Sequence, residues 1–138
     1  MKDQNCIFCK IIGGEIPART VWEDEDFQVI MDAAPATRGH VLILPKQHYA
    51  DLYALPESLA AKALPLAAKL AEHLKKTLGC QGLNVVQNNG EAAGQTVHHF
   101  HMHLIPRYQD GEKSDVTWSH SDFTEAELDQ IHTQIKQK

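Results

Sequence analysis

The chain has 138 residues and a formal net charge of −5, so it offers no general attraction to nucleic-acid phosphates. Hydrophobic residues make up 43% and charged residues 22%, the balance of a globular domain with enough apolar mass for a core. No apolar run approaches the length of a membrane span and the N-terminus carries no signal pattern, which argues against a membrane role and sets the expectation of a cytoplasmic protein.

Residues 6–12 predict a short helix stopped by Gly13 and Gly14. Within it Cys6 and Cys9 form Cys-x-x-Cys, compatible with a redox pair, a metal half-site or neither. No thioredoxin-like βαβ pattern surrounds them, so redox chemistry is the weaker reading. Apolar segments near 20–23, 27–32 and 40–44 predict three strands. Residues 56–78 then place Leu59, Ala63, Leu66, Leu70, Leu74 and Leu78 at mostly helical spacing. Pro65 interrupts that helix and is expected to kink it or to cost about 3 kcal/mol or more. Gly79 is placed to cap it, and Cys80 reads as an inert buried thiol.

A fourth strand is expected at 83–87, followed by the small polar run from Asn88 to Thr96. Gly90 and Gly94 there permit close backbone approach, and Asn88, Gln95 and Thr96 can point hydrogen bonds at a ligand, as a loop built to hold an oxyanion would. A fifth strand spans 97–105, and a last helix starts near Thr124, where Thr124 and Glu127 fit a capping box and Leu128, Ile131 and Ile135 supply an apolar side. The sum is an α+β arrangement, a five-stranded antiparallel sheet with one long and two shorter helices. With no repeat and no low-complexity linker, one domain over 1–138 is expected, its core at about 6–108 and a helical extension at about 109–138.

The most informative stretch is His99-Phe100-His101-Met102-His103-Leu104, a period-2 alternation that puts three imidazoles on one face of a strand. His99 and His103 stand about 13 Å apart at the backbone, so no single ion takes all three and the outer two must have different duties. A three-histidine zinc hydrolase built from this strand alone is not expected. His98 points the other way, toward core or interface, while His73, His120 and His132 read as solvated.

The segment from Gly94 to Ile105 resembles the signature of the histidine triad (HIT) superfamily, His-φ-His-φ-His-φ-φ with φ apolar, in its Hint-like branch and especially its zinc-carrying bacterial members. The likeness extends through Cys6 to Ile12, Glu15-Ile16-Pro17-Ala18, Asp32 and Gly39 to His48. It implies a HIT-like fold, a homodimer joined through the long helix and a sheet edge, and hydrolysis of nucleoside phosphoramidates or related adenylylated amines such as those built on AMP. By resemblance, His101 is the nucleophile that becomes transiently nucleotidylated, His103 contacts the phosphate, and His40 joins the proton-handling network. Thr96 stands where the family usually has serine, beside the leaving group. Asn88, Gly94 and Gln95 bind phosphate oxygens, Asp32 grips the ribose, and Ile7, Phe8 and Ile16, with Ile30, line the slot for a purine base. The resemblance also completes the cysteine pair with His48 and His99, a closed Cys2His2 structural zinc site without a position for water. No catalytic cofactor is expected.

The tail after Tyr108 departs from animal Hint proteins: Trp118 comes late and is followed by a helix. Substrate preference in the leaving-group pocket is therefore open. Dinucleoside polyphosphate hydrolysis, a zinc-stapled nucleotide-binding module with a regulatory role, and a hydrolase with an open metal are the rival readings.

Overall fold

The computed structural model describes residues 2–109, 116 and 118–137. The expected elements are present as α1 (Ile7–Ile12), β1 (Thr20–Glu23), β2 (Phe27–Met31), β3 (Val41–Pro45), α2 (Glu57–Leu78), β4 (Gly82–Val86), β5 (Met102–Arg107) and α3 (Glu125–Ile135).

 Each strand pairs antiparallel with its neighbours in the order β1-β2-β3-β5-β4, which leaves β1 and β4 as the edges of this sheet. No helix among the described residues is long and apolar enough to cross a membrane.

Strand alternation divides the core in two. Phe27 and Val29 of β2, Val41 and Ile43 of β3, and Met102 and Leu104 of β5 face α2, where they pack with Ala63, Ala67, Leu70 and Leu74. Ile30, Leu42 and Leu44 point to the opposite face and pack with Cys6, Phe8 and Cys9 of the α1 segment. Because both faces are covered, β3 is buried along its whole length. Burying these side chains contributes roughly 1.5–3 kcal/mol for each large one.

The fifth strand starts later than its alternation suggests. Continuing the register of Ile43 with Met102 would set Pro45 opposite Phe100. Pro45 has no amide hydrogen to donate, and its carbonyl is occupied by Nε2 of His99 at 2.9 Å. The ladder therefore stops at Met102, and Phe100 bonds Tyr49 instead. His99 and His101 keep their facing without belonging to the ladder.

Helix α2 runs continuously through Pro65. Pro65 and Ala61, whose carbonyl loses its usual donor, are both exposed, so water can satisfy that carbonyl and the helix persists. Gly79 closes α2 in the left-handed conformation (φ 72°), its amide bonding Lys75. Thr124 and Glu127 form the reciprocal capping box at α3. The apolar side of α3 is present but largely open: none of its residues is buried, Ile131 is half-buried, and Leu128 and Ile135 are exposed. Residues 110–115, 117 and 138 of the expected extension lie outside the described residues.

Candidate active site and metal centre

The face of the sheet opposite α2 carries a cleft of about 580 Å³, walled by Ile7 and Phe8 of α1, Ile16, Ile30, Asp32, Thr96, His101 and His103. The expected base-slot residues thus meet two of the three triad histidines. His40, one residue before β3, is buried behind His103.

The hydrogen-bond partners assign the tautomers. A carbonyl can only accept, so His101 donates its Nδ1–H to the main-chain oxygen of His99 at 2.7 Å, which leaves Nε2 with a lone pair. The amide of Ala36 donates to Nδ1 of His40 at 2.9 Å, so the proton of neutral His40 sits on Nε2. That nitrogen lies 2.9 Å from Nδ1 of His103 and 3.4 Å from Oδ2 of Asp32. His103 accepts at Nδ1 and therefore carries its own proton on Nε2. One imidazole offers a lone pair and its neighbour a proton.

Burial keeps this group neutral. It lowers the pKa of His103 to about 4, assisted by His101 and His40 and opposed by Asp32. Burial likewise lowers His40 and His101; Asp32 opposes both, and the bond to His99 opposes the shift of His101.

A second cluster adjoins the cleft. Nδ1 of His99 lies 3.3 Å from Sγ of Cys6, 3.6 Å from Sγ of Cys9 and 3.2 Å from Nδ1 of His48, and Sγ of Cys9 lies 3.4 Å from Nδ1 of His48. Zinc bonds of about 2.0–2.1 Å to nitrogen and about 2.3 Å to sulfur, at tetrahedral angles, put donor pairs about 3.3–3.8 Å apart. The donor set fits a divalent soft-to-borderline cation. Its support fits as well: His99 donates Nε2–H to Pro45, freeing Nδ1, and Nε2 of His48 faces Asp3 at 3.9 Å. Burial pushes the Cys6 thiol up and the His99 pKa down to about 4, and a bound cation offsets the cost of the thiolate by charge. Asp32, His40 and His103 also converge, through the Ala36–His40–His103 hydrogen-bond chain and the 3.4 Å approach of Asp32 to His40.

The loop from Asn88 to Thr96 is arranged differently from the expected oxyanion cradle. Gln95 is buried, and its carboxamide is spent inside the protein: Oε1 accepts from Gly90, and Nε2 donates to Ala50 and Val97. The amides of Gly94 and Gln95 already donate to Glu91 and Gly90. Gln95 is thus a brace of the loop, and neither it, Gly94 nor Asn88 lines the cleft, whereas Thr96 does. His98 does not enter the core of this chain; it is exposed, 3.8 Å from Glu91. Arg19 and Val97 line the cleft without having been expected. Val97 could have been found from its place one residue beyond Thr96; nothing local to Arg19 signals it.

A family model described as HIT domain matches residues 13–110. The adenosine 5'-monophosphoramidase HNT1 of Candida albicans is 38% identical over 138 residues, covering 97% of this chain and 91% of that protein. A crystal structure of a HIT family protein from Bacillus anthracis superposes with a TM-score of 0.86 at 40% identity, covering 96% of this chain and 95% of that one. A Zn-bound histidine triad family protein from Mycobacterium smegmatis gives 0.75 at 33% identity, with 94% and 97% covered.

Proposed function

This chain belongs to the HIT domain family, and on that footing we propose that it hydrolyses nucleoside 5'-phosphoramidates or related adenylylated amines at the α-phosphate, with His101 as nucleophile. The observation that carries the reading is the bond from His101 Nδ1 to the His99 carbonyl, which leaves the Nε2 lone pair for a cleft that the residue lines. The named activity of the Candida albicans relative supports the substrate class.

In this reading a purine base lies against Ile7, Phe8 and Ile16, with Ile30 beneath, and the Asp32 carboxylate accepts from ribose hydroxyls. Nε2 of His101 forms a bond to phosphorus as the bond to the amine breaks. The amine takes a proton relayed from solvent through the hydroxyl of exposed Thr96, and Nε2–H of His103 donates to a phosphate oxygen as its charge builds. Water then attacks phosphorus, loses a proton to solvent, breaks the phosphorus–nitrogen bond, returns the lone pair to His101 and releases the nucleoside monophosphate. Asn88 and Gly94 act on the phosphate only if the loop shifts on binding, and Gln95 through the loop it braces.

Cys6, Cys9, His48 and His99 hold a structural zinc in this account, supplying a cross-link between the N-terminal segment and the triad. A homodimer is part of the same reading. Leu64 on α2 and Val85 on β4, an edge strand of this sheet, are exposed apolar side chains that a second copy would cover. Sedimentation velocity checks it.

The test of function is turnover of an adenosine 5'-phosphoramidate bearing a fluorescent amine, beside diadenosine tetraphosphate at equal concentration. Preferred phosphoramidate cleavage with release of AMP supports the reading. Preferred tetraphosphate cleavage replaces it with the sister activity, and AMP binding without turnover replaces it with a nucleotide-binding module.

A further inference from the structure

The metal cluster and the cleft share a wall. Phe8 stands between the two cysteines in sequence, and its ring meets His99 edge-on at 5.8 Å and His101 at 5.0 Å between centroids. Phe8 and its neighbour Ile7 also line the cleft. The helix that presents them spans six residues, too short to be stable by itself, and its N-cap is Cys6, whose sulfur accepts from the amide of Cys9. What holds α1 in place is therefore its packing on Ile30, Leu42 and Leu44 together with whatever joins Cys6 and Cys9 to His48 and His99.

His99 is the second link. Its Nδ1 belongs to the four-donor cluster, its Nε2 is fixed on Pro45, and its main-chain oxygen receives the proton of His101. The residue is fully buried, so a displacement of its ring has no solvent-filled space to relax into and is passed to its backbone. Without a cation, only weak hydrogen bonds between the thiols and the imidazole nitrogens, at 3.3 Å for Cys6 with His99 and 3.4 Å for Cys9 with His48, join the four side chains, and they hold the cluster less firmly than coordinate bonds would.

We infer that the four-donor centre is a positioning element of the nucleotide site. Metal loading fixes the Phe8 wall and the His99 carbonyl together, so that nucleotide affinity depends on metal occupancy although no donor of the cluster touches the nucleotide. The inference rests on the nucleotide reading above. Linkage makes the dependence reciprocal: whatever factor the metal adds to nucleotide affinity, the nucleotide adds to metal affinity.

The experiment has two arms on the full chain. In the first, zinc-loaded protein is stripped with a chelator, its fold is followed by circular dichroism, and AMP binding is measured by calorimetry before stripping, after it and after zinc is restored. The expected result is a folded stripped form that binds AMP more weakly by about tenfold or more, within the usual range of coupling between sites, and recovers with zinc. In the second, cobalt replaces zinc and AMP is titrated while the visible cobalt bands are recorded. The bands should shift with the same midpoint as the calorimetric titration, a response that a remote structural staple would not give. If the stripped protein unfolds, the cobalt arm decides alone. Stripped, folded protein that binds AMP within twofold of the loaded form, or cobalt bands indifferent to bound AMP, overturns the inference and leaves the nucleotide reading standing. AMP binding by neither form overturns both.

Discussion

His101 gives its Nδ1 proton to the main-chain oxygen of His99 across 2.7 Å. Two residues of one motif thereby divide their duties: His99 turns its own Nδ1 toward two sulfurs and a second imidazole, while its backbone sets the tautomer of the neighbour that lines the cleft. The same contact makes specific predictions about chemistry and about stability.

Replacing His101 by alanine removes the proposed nucleophile but leaves Ile7, Phe8, Ile16 and Asp32 on the cleft wall. Turnover should fall by about 10³-fold or more, with AMP affinity changed by less than about tenfold. Steady-state kinetics and calorimetry on the variant check this. Turnover close to the wild type would remove His101 from its role.

The pH profile follows from the buried histidines. An isolated imidazole titrates at about 6.5, whereas burial lowers His103 to about 4 and lowers His40 as well. Neutral His103, donating through Nε2 and accepting at Nδ1, therefore persists into mild acid. The acid limb of kcat/KM should lie below pH 6.5, with activity still high at pH 6.

Stability should move with the same groups. Their pKa is depressed on folding, so between about pH 6.5 and pH 4 the unfolded chain binds more protons than the folded one. The stabilisation is fully present above that window and is lost as pH falls through it. Urea unfolding midpoints at pH 7.5, 6 and 5 should decline in that order.

Gly39 has φ +92° and lies directly before His40; a Cβ there would collide with Cδ1 of Leu78 and approach Cγ of Pro106 at 3.3 Å. The backbone strain costs about 1–2 kcal/mol and the crowding about 1–3 kcal/mol more. Gly39→Ala should lower stability by a sum in that range and reduce kcat by displacing His40. Denaturant unfolding with kinetics of the folded variant tests both.

Removal of metal should lower the thermal midpoint. Loss of about 3 kcal/mol corresponds to a shift on the order of 10 °C for a domain of this size. Differential scanning calorimetry with and without chelator reads it, and Cys9→Ser should reproduce the shift without chelator.

The sequence made much of this legible because several signals are local. The period-2 run fixed which of His101, Met102, His103 and Leu104 share a face, the Thr124–Glu127 pair forms its capping box, and Gly79 ends α2 where the apolar spacing stops. The rest depended on partners distant in the chain. Whether β5 begins at Val97 or Met102 was decided by Pro45, more than fifty residues upstream, through a missing amide and an occupied carbonyl. Gln95 looks like a ligand donor until Ala50 and Gly90 are seen to use its carboxamide. Pro65 is tolerated because it faces water, a fact of orientation on α2 and not of residue type. The convergence of Cys6 and Cys9 with His48 and His99 needed the motif resemblance, since spacing alone left the cysteine pair open among three readings.

The central claim, that His101 forms a bond to phosphorus, is tested most directly by the stereochemical course at that atom. An adenosine 5'-phosphorothioamidate of single configuration, hydrolysed in isotopically labelled water, gives a chiral product whose configuration can be read by phosphorus NMR. Two in-line displacements, the first by His101 and the second by water, predict net retention. Net inversion would mean that water attacks directly, and would contradict the account.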